Sequence, residues 1–471
     1  MYKKFSIKLI LEIFARNQKL ILSLILLLGF FLRIRGINPD GWYDEWSSFF
    51  YSNPNYSLTN LYNTAVKQEG SQPLYLVILS LWHNIFGYSP ESARLFSIFI
   101  GIISIILFYY FVLIVNKKNL IFKILSIFLF STNFFLIEYS QETRYYSLSV
   151  FASLLSLIFF FKFLKNKKYF FLYLFFSIFS LMINIFFMTI VLSYLIIIFF
   201  NKRNYIYYLS TFLIILIYLF LDYQFLFNTI NRIDSYSIHP VLTVNFLLGY
   251  YFNIFFGSVY YGGIILLSLV FLTIYLRKNI YKNNILIFFI ISIFSTYFLP
   301  IIYSFLKDPI LRARYIIFIV PIIIIYLSYL VSIIKNEIIK ERIFLILIFF
   351  GLCNIFLYDK IIHKPETIKA LKVINSSNSK NVYTIKTLHS DYHTNYFMRY
   401  NFAKKNGIKF INEETIKNYT YFWQLCLNNP RFAVVIREDN LNCLKNNFAD
   451  THHIVESFKV PDYIVNLYKK N

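Results

Sequence analysis

The sequence predicts an α-helical, polytopic membrane protein that carries a small extracytoplasmic α/β domain at its C-terminus. Three observations lead there. Of its 471 residues, 58% are hydrophobic and only 15% are charged, and the mean hydropathy is +0.58. Apolar runs of about 20 residues, the length an α-helix needs to cross a hydrocarbon core, recur between short Lys/Asn-rich breaks until residue 360. Beyond that point the composition turns polar. The net charge of +23 is not a nucleic-acid footprint, because in a membrane protein the placement of charge matters more than its sum. The abundant Phe and Tyr are lipid-facing and interfacial residues, not a base-stacking platform.

Taken in order, the runs predict about eleven transmembrane helices. The first covers Leu20–Ile37. An interruption over 38–91 follows, within which 73–86 is apolar but too short for a full span and reads as an interfacial or re-entrant helix. Further spans fall at Ser92–Val115, Leu120–Ile137, Tyr145–Leu164, Tyr169–Asn184, Ile185–Phe200 and Tyr205–Phe225. After a second interruption at 226–257 come Ser258–Leu276, Ile285–Leu306, Tyr315–Ile333 and Ile343–Tyr358. The continuous run 169–200 can also be divided elsewhere.

Positive charge sets the orientation. Lys3, Lys4, Lys8, Arg16 and Lys19 precede the first span, and Lys117-Lys118, Lys165, Lys167-Lys168, Lys202-Arg203, Arg277-Lys278, Lys335, Lys340 and Arg342 fall in every second loop. All belong inside by the positive-inside rule, and counting 73–86 as a span would break the alternation. The acids agree. Before the tail only Glu12, Glu337 and Glu341 fall inside; Asp40, Asp44, Glu45, Glu69, Glu91, Glu138, Glu142, Asp222, Asp234, Asp308, Asp359 and Glu366 fall outside or at outer helix ends.

The expected organisation is a transmembrane unit over 1–360, with its first external loop at 38–91, and an extracytoplasmic unit over 361–471. In the latter, β-like runs at Val382–Ile385, Phe432–Ile436 and Ile454–Val460 alternate with helix-like stretches such as Pro365–Ile374. Cys426 and Cys443 either pair in an oxidising compartment or stay as thiols. No cleavable signal pattern precedes the first span. The His389/His393 pair lacks a third metal ligand and reads as a surface helix. His83, on the short apolar helix, reads as a packed or snorkelling side chain.

The external charges define a candidate site. Asp44 and Glu45 are flanked by Trp42, Tyr43 and Trp46, which places them at the membrane interface, and Glu69 follows in the same loop; Glu138 and Glu142 come from the next external loop. Arg dominates the outer positions (Arg33, Arg35, Arg94, Arg144, Arg232, Arg312, Arg314), whereas Lys dominates the inner loops. Guanidinium groups bind phosphate bidentately and stay charged when partly desolvated. A carboxylate that takes a proton from a hydroxyl, beside cations that stabilise a departing phosphate, suits glycosyl transfer from a lipid-linked phosphosugar. A transporter would hold charges near the bilayer midplane instead.

The order of these residues also resembles a known group. Asp44-Glu45, then Gln72-Pro73-Leu74-Tyr75, Leu81-Trp82, Phe86-Gly87 and Ala93-Arg94-Leu95-Phe96-Ser97, resembles the first external loop of bacterial GT-C glycosyltransferases, the relatives of protein O-mannosyltransferases and lipid A aminoarabinose transferases. Tyr139-Ser140-Gln141-Glu142-Thr143-Arg144-Tyr145-Tyr146 is similar to their second external loop, and Arg314-Tyr315 with Pro321 to a late helix start. The resemblance covers 20–160 and 300–325. It implies an inverting transferase of the bacterial inner membrane. Such an enzyme passes a sugar from a polyprenyl phosphate to a lipid, lipopolysaccharide, surface-glycan or protein acceptor on the outer face. Asp44 is then the general base, with Glu45 beside it and Glu142 as the second-loop acid. Glu69, Arg94, Arg144, Arg312 and Arg314 are the substrate-binding candidates, Arg312 and Arg314 foremost for phosphate. One departure stands out: relatives carry a basic or His residue and Pro-Pro where this chain has Ser71-Gln72-Pro73. No cofactor is required; a divalent metal can sit beside the acids, but a carboxylate base with Arg ligands needs none. Membrane lipid and the donor lipid are the expected partners, and nucleic acid is not. The alternatives are an O-antigen polymerase or ligase, which favours a large, late, Arg-rich loop, and a lipid-linked glycan flippase, which would not need Asp44.

Overall fold

The computed structural model describes residues 17–35, 43–66, 72–200, 205–233, 243–306, 311–356, 372–375, 381–384, 409–411, 418–427, 452–460 and 463–471. The chain divides into two compact units, one of 1–37 with 51–362 and one of 38–50 with 363–471.

In the first unit every segment expected to span is helical over most of its described residues, and polar caps mark where several of the helices begin. Ser89 accepts from Ser92 N and Pro90 opens the helix Pro90–Asn116, the arrangement that favours a helix start. Asn119 likewise caps Leu120–Ser131. The apolar run 120–140 does not continue straight. Asn133 caps a second helix, Phe134–Ser140, and the pair is bent by 46°. The run 169–200 is cut at Asn184, as one of its divisions anticipated: Phe170–Ile183 ends there and its side chain starts the turn before Met188–Phe200. Asn side chains compete with the helix ladder for backbone groups, so they break apolar runs that hydropathy alone would leave whole. The short helix Pro73–Phe86 has 14 residues, entered at Pro73 and ended by Gly87 at φ 89°. Its His83 is buried, so it packs rather than snorkels, and that burial pushes the imidazole below its usual range.

Among the described residues four helices, Pro90–Asn116, Tyr146–Lys165, Asn284–Leu306 and Ala313–Ser332, are long and apolar enough to cross a membrane, or six if each of two bent pairs forms one span. Val320–Ser332 is buried on nearly every face, as a helix apolar all round must be. Around it, hydroxyls join helices: Ser156 bonds Ser177 at 2.9 Å and Tyr194 at 3.0 Å, and Thr189 bonds Thr296 at 2.8 Å. Such bonds between apolar helices are the polar glue of membrane bundles. Large apolar side chains such as Phe171, Phe220, Leu306 and Phe356 stand exposed, as lipid-facing surface does. These are the features of a multi-pass helical membrane protein.

The second bent pair, 246–256 with Val259–Tyr275, turns through 95° at Gly257. Gly257 has φ 81°, and a Cβ there would lie 2.7 Å from Phe134 Cγ and 2.9 Å from Asn354 Nδ2. Both the backbone and the space require glycine. Gly257→Ala is expected to destabilise the fold by about 1–3 kcal/mol, read as a lowered melting temperature of the purified protein in detergent. Gly263→Ala, whose added methyl meets nothing within 4 Å, is the control; equal melting of the two variants would contradict the steric account.

The second unit holds a five-stranded sheet in the order β2-β1-β3-β5-β4. Its strands are β1 (Asn381–Thr384), β2 (Lys409–Ile411), β3 (Tyr421–Leu427), β4 (His452–Val460) and β5 (Tyr463–Lys470). β1 pairs in parallel with β2 and β3, while β5 runs antiparallel between β3 and β4. Trp423 lies opposite Leu467 in the β3–β5 register and both are buried. Of the expected runs, 382–384 falls on β1 and 454–460 on β4; residue 385, 432–436, the His389/His393 pair and Cys443 lie outside the described residues, as does most of 365–374. The same unit contains nearly all of the helix Tyr43–Tyr51, whose first turn holds Asp44 and Glu45.

Candidate active site

Charges of the transmembrane unit gather at the turn between the helices Phe134–Ser140 and Tyr146–Lys165. Local bonds fold the turn: Gln141 N donates to Glu138 O at 2.9 Å and Arg144 N to Glu142 O at 2.8 Å. Ser147 Oγ donates back to Tyr139 O at 3.1 Å. Gln141 Nε2 then donates to the carbonyls of Leu32 and Arg33 at 3.1 and 3.2 Å. These lie in the last turn of the helix Gln18–Ile34, where carbonyls have no partner within their own helix. Gln141 therefore caps one helix while fixing the residue beside it, Glu142. Gln141, Glu142 and Thr143 are all buried, which is unusual for a turn. A buried carboxylate is costly unless it is held by partners or put to use.

Under this turn lies Arg33, buried, with Nη1 donating to Gly29 O at 2.9 Å and Ser131 O at 3.1 Å. The helix Pro90–Asn116 approaches it closely at Gly101, where a Cβ would lie 2.8 Å from Ser140 Cβ and 3.5 Å from Arg33 Nε. Arg33, Gly101, Ser104, Tyr139, Ser147 and Ile317 line a narrow cavity there.

Tyrosines floor the charged cluster. Tyr139 and Tyr146 meet edge-on at 4.7 Å, Tyr145 and Tyr146 lie tilted to each other at 4.6 Å, and Tyr75 approaches Tyr145 at 6.4 Å. The Arg144 guanidinium lies 5.9 Å from the Tyr145 ring, and that of Arg314 lies 6.0 Å from Tyr146 and 5.9 Å from Tyr315, within cation–π reach. The charges of Glu138, Glu142 and Arg314 all bear on the Tyr139 phenol, and those of Arg144 and Arg314 on Tyr145. One patch thus combines two carboxylates, two guanidinium groups and a wall of tyrosines. Carboxylates can take a proton or orient a hydroxyl, and guanidinium groups can hold a phosphate.

The structure brings together Glu142, Arg144 and Arg314 of the expected set. Arg94 is buried near the start of Pro90–Asn116, and Arg312 is exposed just before the turn of helix Ala313–Ile319. Asp44 is half-buried and Glu45 buried in the other unit. Trp46, expected at the membrane interface, is buried and meets Phe49 edge-on at 6.3 Å. Glu69 and Trp42 lie outside the described residues. Gln141 and the tyrosine wall are additions whose only signal was the run Tyr139–Tyr146 itself, and Arg33, one of the outer Arg residues of the sequence, is buried beside that turn. Among the described residues no group of three or more His, Cys, Asp or Glu side chains could hold a metal ion.

No protein-family model matches the chain, and no curated protein matches it by sequence. Its structure is similar to that of ArnT from Cupriavidus metallidurans in the apo state, with a TM-score of 0.55 at 10% identity over 96% of this chain and 98% of that one. ArnT of the same organism bound to undecaprenyl phosphate matches with a TM-score of 0.51, also at 10% identity and with the same coverage. An oligosaccharyltransferase from Archaeoglobus fulgidus matches at 0.48 and 10% identity, over 89% of this chain and 70% of that one. The likeness to ArnT, a lipid A aminoarabinose transferase, is one of fold, and it is the GT-C fold that the loop motifs resembled.

Proposed function

We propose that this chain is a glycosyltransferase that moves a sugar from a polyprenyl phosphate to an acceptor at the outer face of the membrane. The observation that carries the reading is the patch of Glu138, Glu142, Arg144 and Arg314 over Tyr139, Tyr145 and Tyr146, in a chain with this fold. ArnT, which has that fold, has been crystallised with undecaprenyl phosphate, and a polyprenyl phosphate is the donor whose chemistry the guanidinium groups fit.

The reaction follows from the residue types. Asp44, assigned by its place on the first loop, accepts the proton of the acceptor hydroxyl, with Glu45 as its neighbour. The freed oxygen attacks the anomeric carbon, and the bond from that carbon to the phosphate oxygen breaks. Polyprenyl phosphate leaves with the electron pair, and Arg314 and Arg144, with Arg94 and Arg312, balance its charge. Attack opposite the leaving group inverts the anomeric centre. Glu142 orients the acceptor. Glu69 belongs to substrate binding by its place in the loop. The route needs no metal.

The proposed setting is the bacterial inner membrane, with about eleven spans, a cytoplasmic N-terminus and residues 361–471 outside. Purified protein supplied with a panel of polyprenyl-phosphate sugars and envelope lipid or glycan acceptors should transfer at least one sugar, and should do so in EDTA. No transfer with any donor, together with no binding of undecaprenyl phosphate, would remove the reading; loss in EDTA would replace the metal-free step. Cysteine labelling at position 142 from the cytoplasmic side would overturn the topology.

A further inference from the structure

The geometry points to Gln72 and Asn184 as positioning residues for Arg314: together they bracket the break between two helices against the backbone that carries this guanidinium. The inference rests on the proposed phosphate role of Arg314 for its functional consequence, but not for its geometry. Gln72 is buried at the entry to the helix Pro73–Phe86. Its amide Nε2 donates to Leu181 O and, at 3.2 Å, to Tyr218 Oη, while its Oε1 accepts from Ile185 N at 2.9 Å. Leu181 and Ile185 lie on either side of the break at Asn184. A helix that ends inside a bundle leaves carbonyls and N–H groups without partners, and burying them unpaired is costly. Gln72 supplies one donor and one acceptor to that break. Asp222, buried just after the helix Tyr205–Leu221, lies beside Gln72 and Tyr218.

The chain of bonds continues towards the charged patch. Asn184 Nδ2 donates to Ser149 Oγ at 3.0 Å and to Tyr315 O at 2.8 Å. Its Oδ1 meanwhile accepts from Phe186 N at 3.0 Å. The Phe186 ring stacks on Tyr315 at 5.4 Å. Tyr315 is therefore clamped at its carbonyl and at its ring, and the Arg314 guanidinium lies over that same ring. Removing Gln72 loosens the break, and the loosening reaches Arg314 through Asn184 and Tyr315. Gln72 stands in the polar loop of the sequence but acts from inside the bundle, through backbone rather than through substrate.

Four proteins test this: the wild type, Gln72→Ala, Arg314→Ala and the double variant, each full-length in lipid nanodiscs, with undecaprenyl phosphate and undecaprenol as probes. Gln72→Ala should weaken undecaprenyl phosphate roughly tenfold and leave undecaprenol unchanged. In the Arg314→Ala background the same substitution should add nothing. Equal loss for both lipids, or independent losses that multiply in the double variant, would overturn the inference. Hydrogen exchange gives the bracket its own readout: Gln72→Ala should speed exchange in 183–188 and 311–319, and unchanged exchange there defeats it whatever the lipids do. If Arg314→Ala binds undecaprenyl phosphate like the wild type while exchange responds as expected, the phosphate reading falls and the bracket stands. Should Gln72→Ala not fold, Asn184→Asp serves in its place, because it keeps the Oδ1 cap and removes the Nδ2 donors.

Discussion

Asp44→Asn should reduce sugar transfer by about 10²- to 10⁴-fold, the range for loss of a general base, while binding of undecaprenyl phosphate stays within a factor of about two to three. The amide has the size of the carboxylate and can still hydrogen-bond to a hydroxyl, but it cannot take the proton. The loss should therefore fall on kcat. Asp44 is half-buried in the first turn of Tyr43–Tyr51, and Glu45 beside it is buried. Carboxylates in a first helical turn are favoured by the helix dipole, so both acids also have a local structural reason to be there. Glu45→Gln separates the two roles: it should cost stability, because a buried charged group is being replaced among its partners, and cost less in kcat than Asp44→Asn. If Glu45→Gln gives the larger loss of kcat at unchanged melting temperature, the base is Glu45. If neither variant slows transfer, the first loop is not where the proton goes.

Much of the helical unit was legible because its signals are local. Apolar runs, Asn and Ser caps, and the Pro73 and Gly87 ends of the short helix lie in adjacent residues, and the expected segments coincide with helices. The break at Asn133 was not read, because its cause is partly distant: Asn133 Nδ2 donates to Phe255 O at 2.9 Å. Trp46 looked interfacial by residue type, yet it is buried; type alone does not say which face of a short helix turns inward. Gln72 shows the same limit more sharply. Against the family pattern it stood only as a departure, where relatives carry the first Pro of Pro-Pro, whereas its partners Leu181, Ile185 and Tyr218 come from more than a hundred positions away. In the second unit β1 and β4 were expected, but β2, β3 and β5 were not. β5 earns its place only by pairing with β3 and β4, and such pairing is not written into a strand's own alternation.

Arg312 and Arg314 looked interchangeable as phosphate ligands in the sequence, two residues apart before the same helix, and the structure separates them. Arg312 is exposed, where its charge is screened and its side chain is free to move. Arg314 is half-buried over Tyr146 and Tyr315, and its charge acts on the same tyrosines as those of Glu138, Glu142 and Arg144. A guanidinium held there loses less freedom when a phosphate binds, and its charge-assisted bonds form where water is scarce. Arg314→Ala should therefore weaken undecaprenyl phosphate by roughly 10- to 100-fold, the equivalent of one or two hydrogen bonds to a charged group. Arg312→Ala should change it by less than about threefold, as an exposed charge does. Arg314→Lys should recover only part of the loss, since an ammonium keeps the charge but not the planar fork. Binding titrations at low and high salt make the contrast stricter. The small effect of Arg312 should vanish as salt rises, while that of Arg314 persists, because buried pairs are screened least. Equal effects at both positions would mean that the phosphate sits in the solvent-exposed mouth of the loop, and that the tyrosine wall serves the acceptor alone.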